Sequence, residues 1–176
     1  MTIGNTPSRT PQTELQSEYG TPDATATPWT TGSALLAEAQ IYWLASVQRN
    51  GQPHVEPLYA VWLDDTDTWY FCTGHGEQKE VNLRHNPRVA VLTGTNRVEG
   101  IDVVLQGQVA RISDQDLLHR IAAEYVRKYD WHYAVNADGF DGGEDGTGLA
   151  LVFAVAPVKG HAFGKGTTFS QTRWTF

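Results

Sequence analysis

The chain has 176 residues, 40% hydrophobic and 19% charged, enough to bury a core without disulfides or a structural metal. Its 13 Lys and Arg against 20 Asp and Glu give a net charge of −7, which argues against a general nucleic-acid binder but leaves room for a local basic pocket. A single cysteine, Cys72, excludes an intrachain disulfide framework and a cysteine-cluster zinc site, and no apolar run approaches the ~18 residues of a membrane-spanning helix.

Residues 1–31 hold nine Thr and four of the eight Pro, with few large apolar side chains (Ile3, Leu15, Tyr19, Trp29). That composition buries too little surface to offset its ordering entropy, and predicts a flexible arm preceding one domain over residues 32–176. If the arm docks, Tyr19 and Trp29 are the anchors, with a partner subunit as their target. No basic region followed by an apolar stretch marks a secretory leader, so the expected location is the cytoplasm.

From Ser33 the pattern turns regular. A short helix over residues 33–39 precedes a strand from Ile41 to Gln48, and Asn50-Gly51 is a two-residue hairpin turn. A second strand runs from His54 to Leu63, and a third from Thr68 to Thr73 after the Asp64–Asp67 turn. Glu77 to Asn86 has helical spacing ended by Pro87. Strands follow over Arg88–Thr95 and Ile101–Ile112, then an amphipathic helix to Tyr129 with Leu117, Leu118, Ile121, Ala122 and Tyr125 on one face. An acidic, Gly-rich loop spans Asn136–Gly148, and strands over Leu149–Val158 and Ala162–Phe176 close the chain. Six or seven strands with two or three helices describe a mainly β (α+β) domain or small barrel.

The stretch Tyr70-Phe-Cys-Thr-Gly-His-Gly-Glu-Gln-Lys79 ends a strand and opens a helix. Backbone N–H groups there, with the Thr73 hydroxyl and the Lys79 ammonium, form an anion pocket suited to phosphate; the competing reading is an ordinary strand-to-helix turn with solvated charges. Arg84 and Arg88 add charge further along. Other patterns fail: Gly160 to Thr167 has the wrong glycine spacing for a phosphate loop, Gly74-His-Gly76 lacks a third glycine, and Asp138–Asp145 lacks calcium-loop spacing. The six His show no metal-binding pairing, so no metal is expected. Cys72 reads as a buried small hydrophobe, and Trp43, Trp62 and Trp69 as core or dimer-interface residues. The chain has no self-sufficient acid–base constellation, which a bound cofactor would explain.

These segments in order resemble the pyridoxamine 5′-phosphate oxidase-like superfamily of FMN- and coenzyme F420-binding split barrels, over about residues 35–176. The resemblance lies in Tyr42 to Leu58, Tyr70 to Gly74, Lys79 to Val91, Val104 to Ala110 and Phe163 to Phe176. It implies a homodimer of six-stranded antiparallel split barrels with a cofactor at each of two sites along the subunit interface. His54, Val55, Glu56, Pro57 and Leu58 match the strand beside the cofactor ring. Tyr70, Cys72 and Thr73 match the strand whose end meets the phosphate, Lys79 the phosphate-binding Lys, and Asn82 the next helical turn. Gln106 sits where the facing subunit approaches the ring, and Arg173 and Trp174 match the motif closing the pocket.

The ending Arg-Trp-Thr-Phe departs from the Arg-Leu-x-Pro type of authentic pyridoxamine phosphate oxidases, so the resemblance does not imply vitamin B6 oxidation. It implies an FMN- or F420-dependent oxidoreductase acting on a small, apolar or conjugated molecule. Coenzyme F420 is preferred, because Arg49, Arg84, His85 and Arg88 suit its anionic tail. Trp62 and Trp174 are expected to wall the substrate slot, and no catalytic side chain is assigned, His54 and Tyr59 being guesses for a proton donor. Two rival readings share the scaffold: a cofactor carrier or sensor without turnover, and a haem-binding split barrel.

Overall fold

The computed structural model describes residues 10–141 and 148–176, which form eleven strands and three α-helices, with every strand in one antiparallel sheet. Among the described residues no helix is long and apolar enough to cross a membrane. The predicted hairpin is present, with a loop of three residues and not two: β2 (Tyr42–Val47) and β3 (Pro53–Leu58) pair, the Gln48 N–H donates to the Gln52 carbonyl and the Gly51 N–H to the Gln48 carbonyl, both at 2.9 Å, and Gly51 takes a φ of 89°, a region a β-carbon disfavours.

The single strand expected from His54 to Leu63 is two. At Tyr59 the chain leaves β2, and β4 (Ala60–Leu63) pairs instead with β5 (Thr68–Gly74). The break is stabilised from outside, where the Tyr129 hydroxyl donates to the Ala60 carbonyl at 2.7 Å and the Tyr59 ring packs on Trp131 with centroids 4.6 Å apart. From β5 the pairing passes to β10 (Leu149–Lys165), then β7 (Gly100–Arg111), β6 (Arg88–Thr93) and back to β2. With β3 and β4 taken as one bent strand, the pairings return to their start. The sheet exceeds the expected six strands because β1 (Gln12–Leu15), β11 (Ser170–Thr175) and a short hairpin of β8 (Ala134–Asn136) and β9 (Gly139–Asp141) extend it.

That short hairpin occupies part of the expected acidic loop, whose residues 142–147 lie outside the described residues. Two strands were expected over residues 149–176, parted near residue 160. In fact β10 runs unbroken for 17 residues, absorbing Pro157, which has no N–H to give, through a register shift between Pro157 and Lys159. The chain then reverses near Gly166 into β11.

Side-chain alternation along β5 and β10 creates two cores. Trp69 and Phe71 of β5 and Leu151, Phe153 and Val155 of β10 face the interior of the sheet circuit, with Leu44, Val91 and Leu105. Tyr70 and the alternate residues Val152 and Ala154 face outward, against α3 (Gln115–Tyr129) through Leu118, Ile121 and Tyr125. The Asp114 carboxylate caps α3 by accepting the Leu117 N–H at 2.9 Å.

The expected arm is corrected from Thr10 onward; residues 1–9 lie outside the described residues. β1 pairs along β11, and α1 (Trp29–Glu38) begins after Pro28, earlier than the predicted start at Ser33. Trp29 supplies the reason. Its indole donates to Asp67 Oδ1 at 3.1 Å and meets Trp62, Trp174 and Phe176 edge-on, at centroid distances of 5.9, 5.0 and 4.8 Å. The Trp174 indole in turn donates to the Thr27 carbonyl at 3.1 Å and fills the space beside Gly32. Few apolar residues are present in this segment, but Trp29 enters the main core of the same chain.

Candidate functional site

The residues that converge are at the end of β5 and the start of α2 (Gln78–His85). β5 delivers Thr73 on its interior parity, buried, and the following Gly74-His-Gly76 turn directs its two glycine N–H groups onto carboxylates of α2 and its cap. Lys79, in the first turn of α2, is buried with its ammonium 3.5 Å from Glu56 Oε1 of β3 and paired with Glu77. Asn82, one turn on, donates to Ser46 Oγ of β2 at 3.0 Å and accepts from Gln78 at 2.7 Å, which pins the helix to the sheet.

The anion pocket read from the sequence holds an anion of the chain's own. The Glu77 carboxylate accepts the Gly74 N–H at 2.8 Å and pairs with the Lys79 ammonium, while the Thr73 hydroxyl beside them donates to the Gly74 carbonyl at 3.5 Å. Burial works to raise its pKa, but the Lys79 ammonium, the Gly74 N–H and the Thr73 hydroxyl outweigh it and hold the carboxyl below its ordinary value. Behind it, the buried Glu80 accepts the Gly76 N–H at 3.0 Å and pairs with Arg84 at 2.9 Å. Neither glutamate was singled out from the sequence. The available signal was Glu77 itself, three residues after Gly74 and within reach of its N–H.

The other expected site residues divide by strand parity. His54 and Glu56 turn inward beside Ser46 and Leu44, whereas Val55 and Pro57 turn outward opposite Ala45 and Trp43. His54 Nδ1 is buried without a hydrogen-bond partner. The Leu58 side chain belongs to the interior core. Tyr70 and Cys72 are also corrected: they share the parity opposite to Thr73, and their side chains lie against the α3 cluster. Burial raises the pKa of both, and the Cys72 thiol contacts the Tyr133 hydroxyl at 3.8 Å. Trp174 and Trp62 are buried in the main core, so within this chain they do not wall an open slot.

Gln106 and Arg173 lie on the outer face of the sheet. There the rows run Val55, Ala45, Ala90, Gln106, Lys159 and Pro57, Trp43, Leu92, Val104, His161, Arg173. Arg173 is paired with Glu14 of β1. Through β2, β6, β7 and β10, Arg173 is the sixth residue of the row that begins at Pro57 of β3. Burial, then the neighbouring Lys159 and Arg173 cations, lower the pKa of His161 on this face. Arg49, Arg84 and His85 do converge. With Gln48, Asn50, Gln78, Val81 and Asn82 they line an open groove of about 610 Å³ between the β2–β3 turn and α2, whereas Arg88 does not line it.

Solved structures of similar fold include a conserved hypothetical protein from Mycobacterium tuberculosis, 19% identical, covering 82% of this chain and 88% of its own, with a TM-score of 0.64. A pyridoxamine 5′-phosphate oxidase-related, FMN-binding protein from Nostoc punctiforme is 19% identical, with 84% and 89% of the two chains covered and a TM-score of 0.56. A heme-binding protein from Mycobacterium smegmatis is 16% identical, with 84% of this chain and 59% of its own covered and a TM-score of 0.59. No curated protein matches the chain. Residues 31–162, from early in α1 to near the end of β10, match the pyridoxamine 5′-phosphate oxidase family along both the β2–β3 hairpin and the Thr73–Lys79 cradle, and the chain belongs to that family.

Proposed function

We propose that the chain is an oxidoreductase whose sheet circuit is a six-stranded split barrel, working in the cytoplasm as a homodimer with FMN or coenzyme F420. The observation that carries this reading is the Glu77 carboxylate held by the Gly74 N–H and the Lys79 ammonium: these donors take an oxyanion, and a cofactor phosphate fits them. When bound, the cofactor supplies hydride transfer, a chemistry that amino-acid side chains do not provide. Lys79, the Gly74 N–H and Thr73 would hold the phosphate, and Asn82 keeps α2 in place beneath them through Ser46.

The outer face of β2 and β3 is the ring and substrate side. Trp43 and Val55 are 48% and 54% exposed there, an apolar surface that a second copy and an apolar or conjugated substrate would cover. Gln106 of β7 and Arg173 of β11 are on strands that do not pair with β3, and they serve that ring from the second copy. The FMN-binding Nostoc relative supports a flavin. The groove of Arg49, Arg84 and His85 beside Asn82 supports the anionic tail of coenzyme F420. Parallel titration with both, followed by turnover against conjugated acceptors, tests the reading. Saturable binding of one with reduction of an acceptor supports it, binding without turnover leaves a carrier, and binding of neither refutes it.

A haem-binding reading has one specific observation, the buried and unpartnered His54 Nδ1, alongside the fold of the Mycobacterium smegmatis protein. It predicts a Soret band on adding haem that is lost in His54→Ala; a band unchanged in that variant refutes it.

A further inference from the structure

We infer that Glu77 is a built-in competitor for the anion cradle, so that a phosphate-monoester ligand binds only as the Glu77 carboxylate swings out. This deepens the reading of Thr73, Gly74 and Lys79 as a phosphate site and rests on it. The Glu77 carboxylate already makes two contacts that a phosphate would make there: the Gly74 N–H at 2.8 Å and the Lys79 ammonium. Both anions cannot hold these donors at once.

Charge makes the competition sharper. Lys79 is one cation facing two carboxylates, Glu77 and, at 3.5 Å, Glu56. A phosphate arriving beside both would meet net negative charge. Glu77 is the carboxylate free to leave, since its side chain is 49% exposed while that of Glu56 is 25% exposed. The chain is shaped to let it return. A β-carbon on Gly74 would lie 2.7 Å from Glu77 Oε1, so the carboxylate lies flush against the backbone because residue 74 has no side chain. The residue thereby sets a threshold: ligands lacking the phosphate gain nothing from displacing it, and ligands bearing one are weakened by the fraction of time that Glu77 holds the cradle.

The test uses the full chain, with FMN and riboflavin as probes that differ only in the phosphate, followed by flavin fluorescence in the parent and in Glu77→Gln, Glu77→Ala and Lys79→Ala. If the carboxylate occupies the cradle 90–99% of the time, freeing it tightens FMN by about 10- to 100-fold. Both Glu77 variants are expected to tighten FMN in that range and leave riboflavin unchanged, with melting temperatures confirming that each is folded. Unchanged or weaker FMN binding in both, while Lys79→Ala still loosens FMN and spares riboflavin, overturns the competitor and leaves the phosphate site standing. A loss of FMN and riboflavin together in the Glu77 variants marks a residue that only shapes the loop, and also overturns it. An FMN-to-riboflavin ratio that Lys79→Ala does not alter overturns the phosphate site and the competitor with it.

Discussion

Trp29→Ala separates a docked N-terminal segment from a flexible one. In the structure this indole is buried, bonded to Asp67 and wedged edge-on between Trp62, Trp174 and Phe176. Truncating a buried Trp costs about 3–5 kcal/mol through lost transfer free energy and the cavity left behind. In a chain of this length each kcal/mol lowers the melting temperature by about 2–4 °C, so a drop of roughly 6–20 °C is expected. The assay is thermal unfolding followed by far-ultraviolet circular dichroism, with Tyr19→Ala as the control. Tyr19 is 62% exposed, so its truncation is expected to change stability by no more than about 0.5 kcal/mol. A Trp29→Ala melting temperature within about 2 °C of the parent refutes the packing argument and restores the flexible arm.

Burial, and then the Arg127 charge, hold the Lys128 pKa down to about 8 from 10.5, over the Tyr42 ring. Between those values the unfolded chain keeps a proton that the folded chain has lost, so this group's cost to stability is full below pH 8 and falls as pH rises. The urea midpoint of the parent relative to Lys128→Met should therefore rise between pH 7.5 and 9.5; a flat or falling difference refutes the assignment. Burial also pushes up the Cys72 thiol. Alkylation by iodoacetamide at pH 8 is expected to be far slower in the folded protein than in urea, and equal rates contradict its placement against α3.

The sheet was legible because hydrophobic alternation and turn chemistry are local. Asn50-Gly51, the Val-rich pair of β6 and β7, and the apolar face of α3 were each set by neighbours in sequence. The bend at Tyr59 and the unbroken β10 were not, since both depend on which strand lies alongside. The N-terminal segment was misread because composition counts apolar residues without weighing them. Trp29 alone joins three aromatic rings, and Gly32 leaves the space that the Trp174 indole fills. The anion cradle was legible in Thr73 and Lys79, whose types and spacing suit phosphate. That a carboxylate from the same turn would fill it was not, because Glu77 reads as an ordinary solvated charge until its reach back to Gly74 is seen. Tyr70, Cys72 and Trp174 were assigned to the site by resemblance along whole segments, where parity sends alternate side chains into opposite cores.

The central claim is that the Gly74 and Lys79 donors bind a phosphate. A crystal structure of the full chain with FMN tests it most directly. Phosphate oxygens are expected within about 2.7–3.2 Å of the Gly74 nitrogen and of Lys79 Nζ, with the Glu77 carboxylate displaced from both. FMN bound with its phosphate elsewhere, and Glu77 still on the Gly74 N–H, would contradict it.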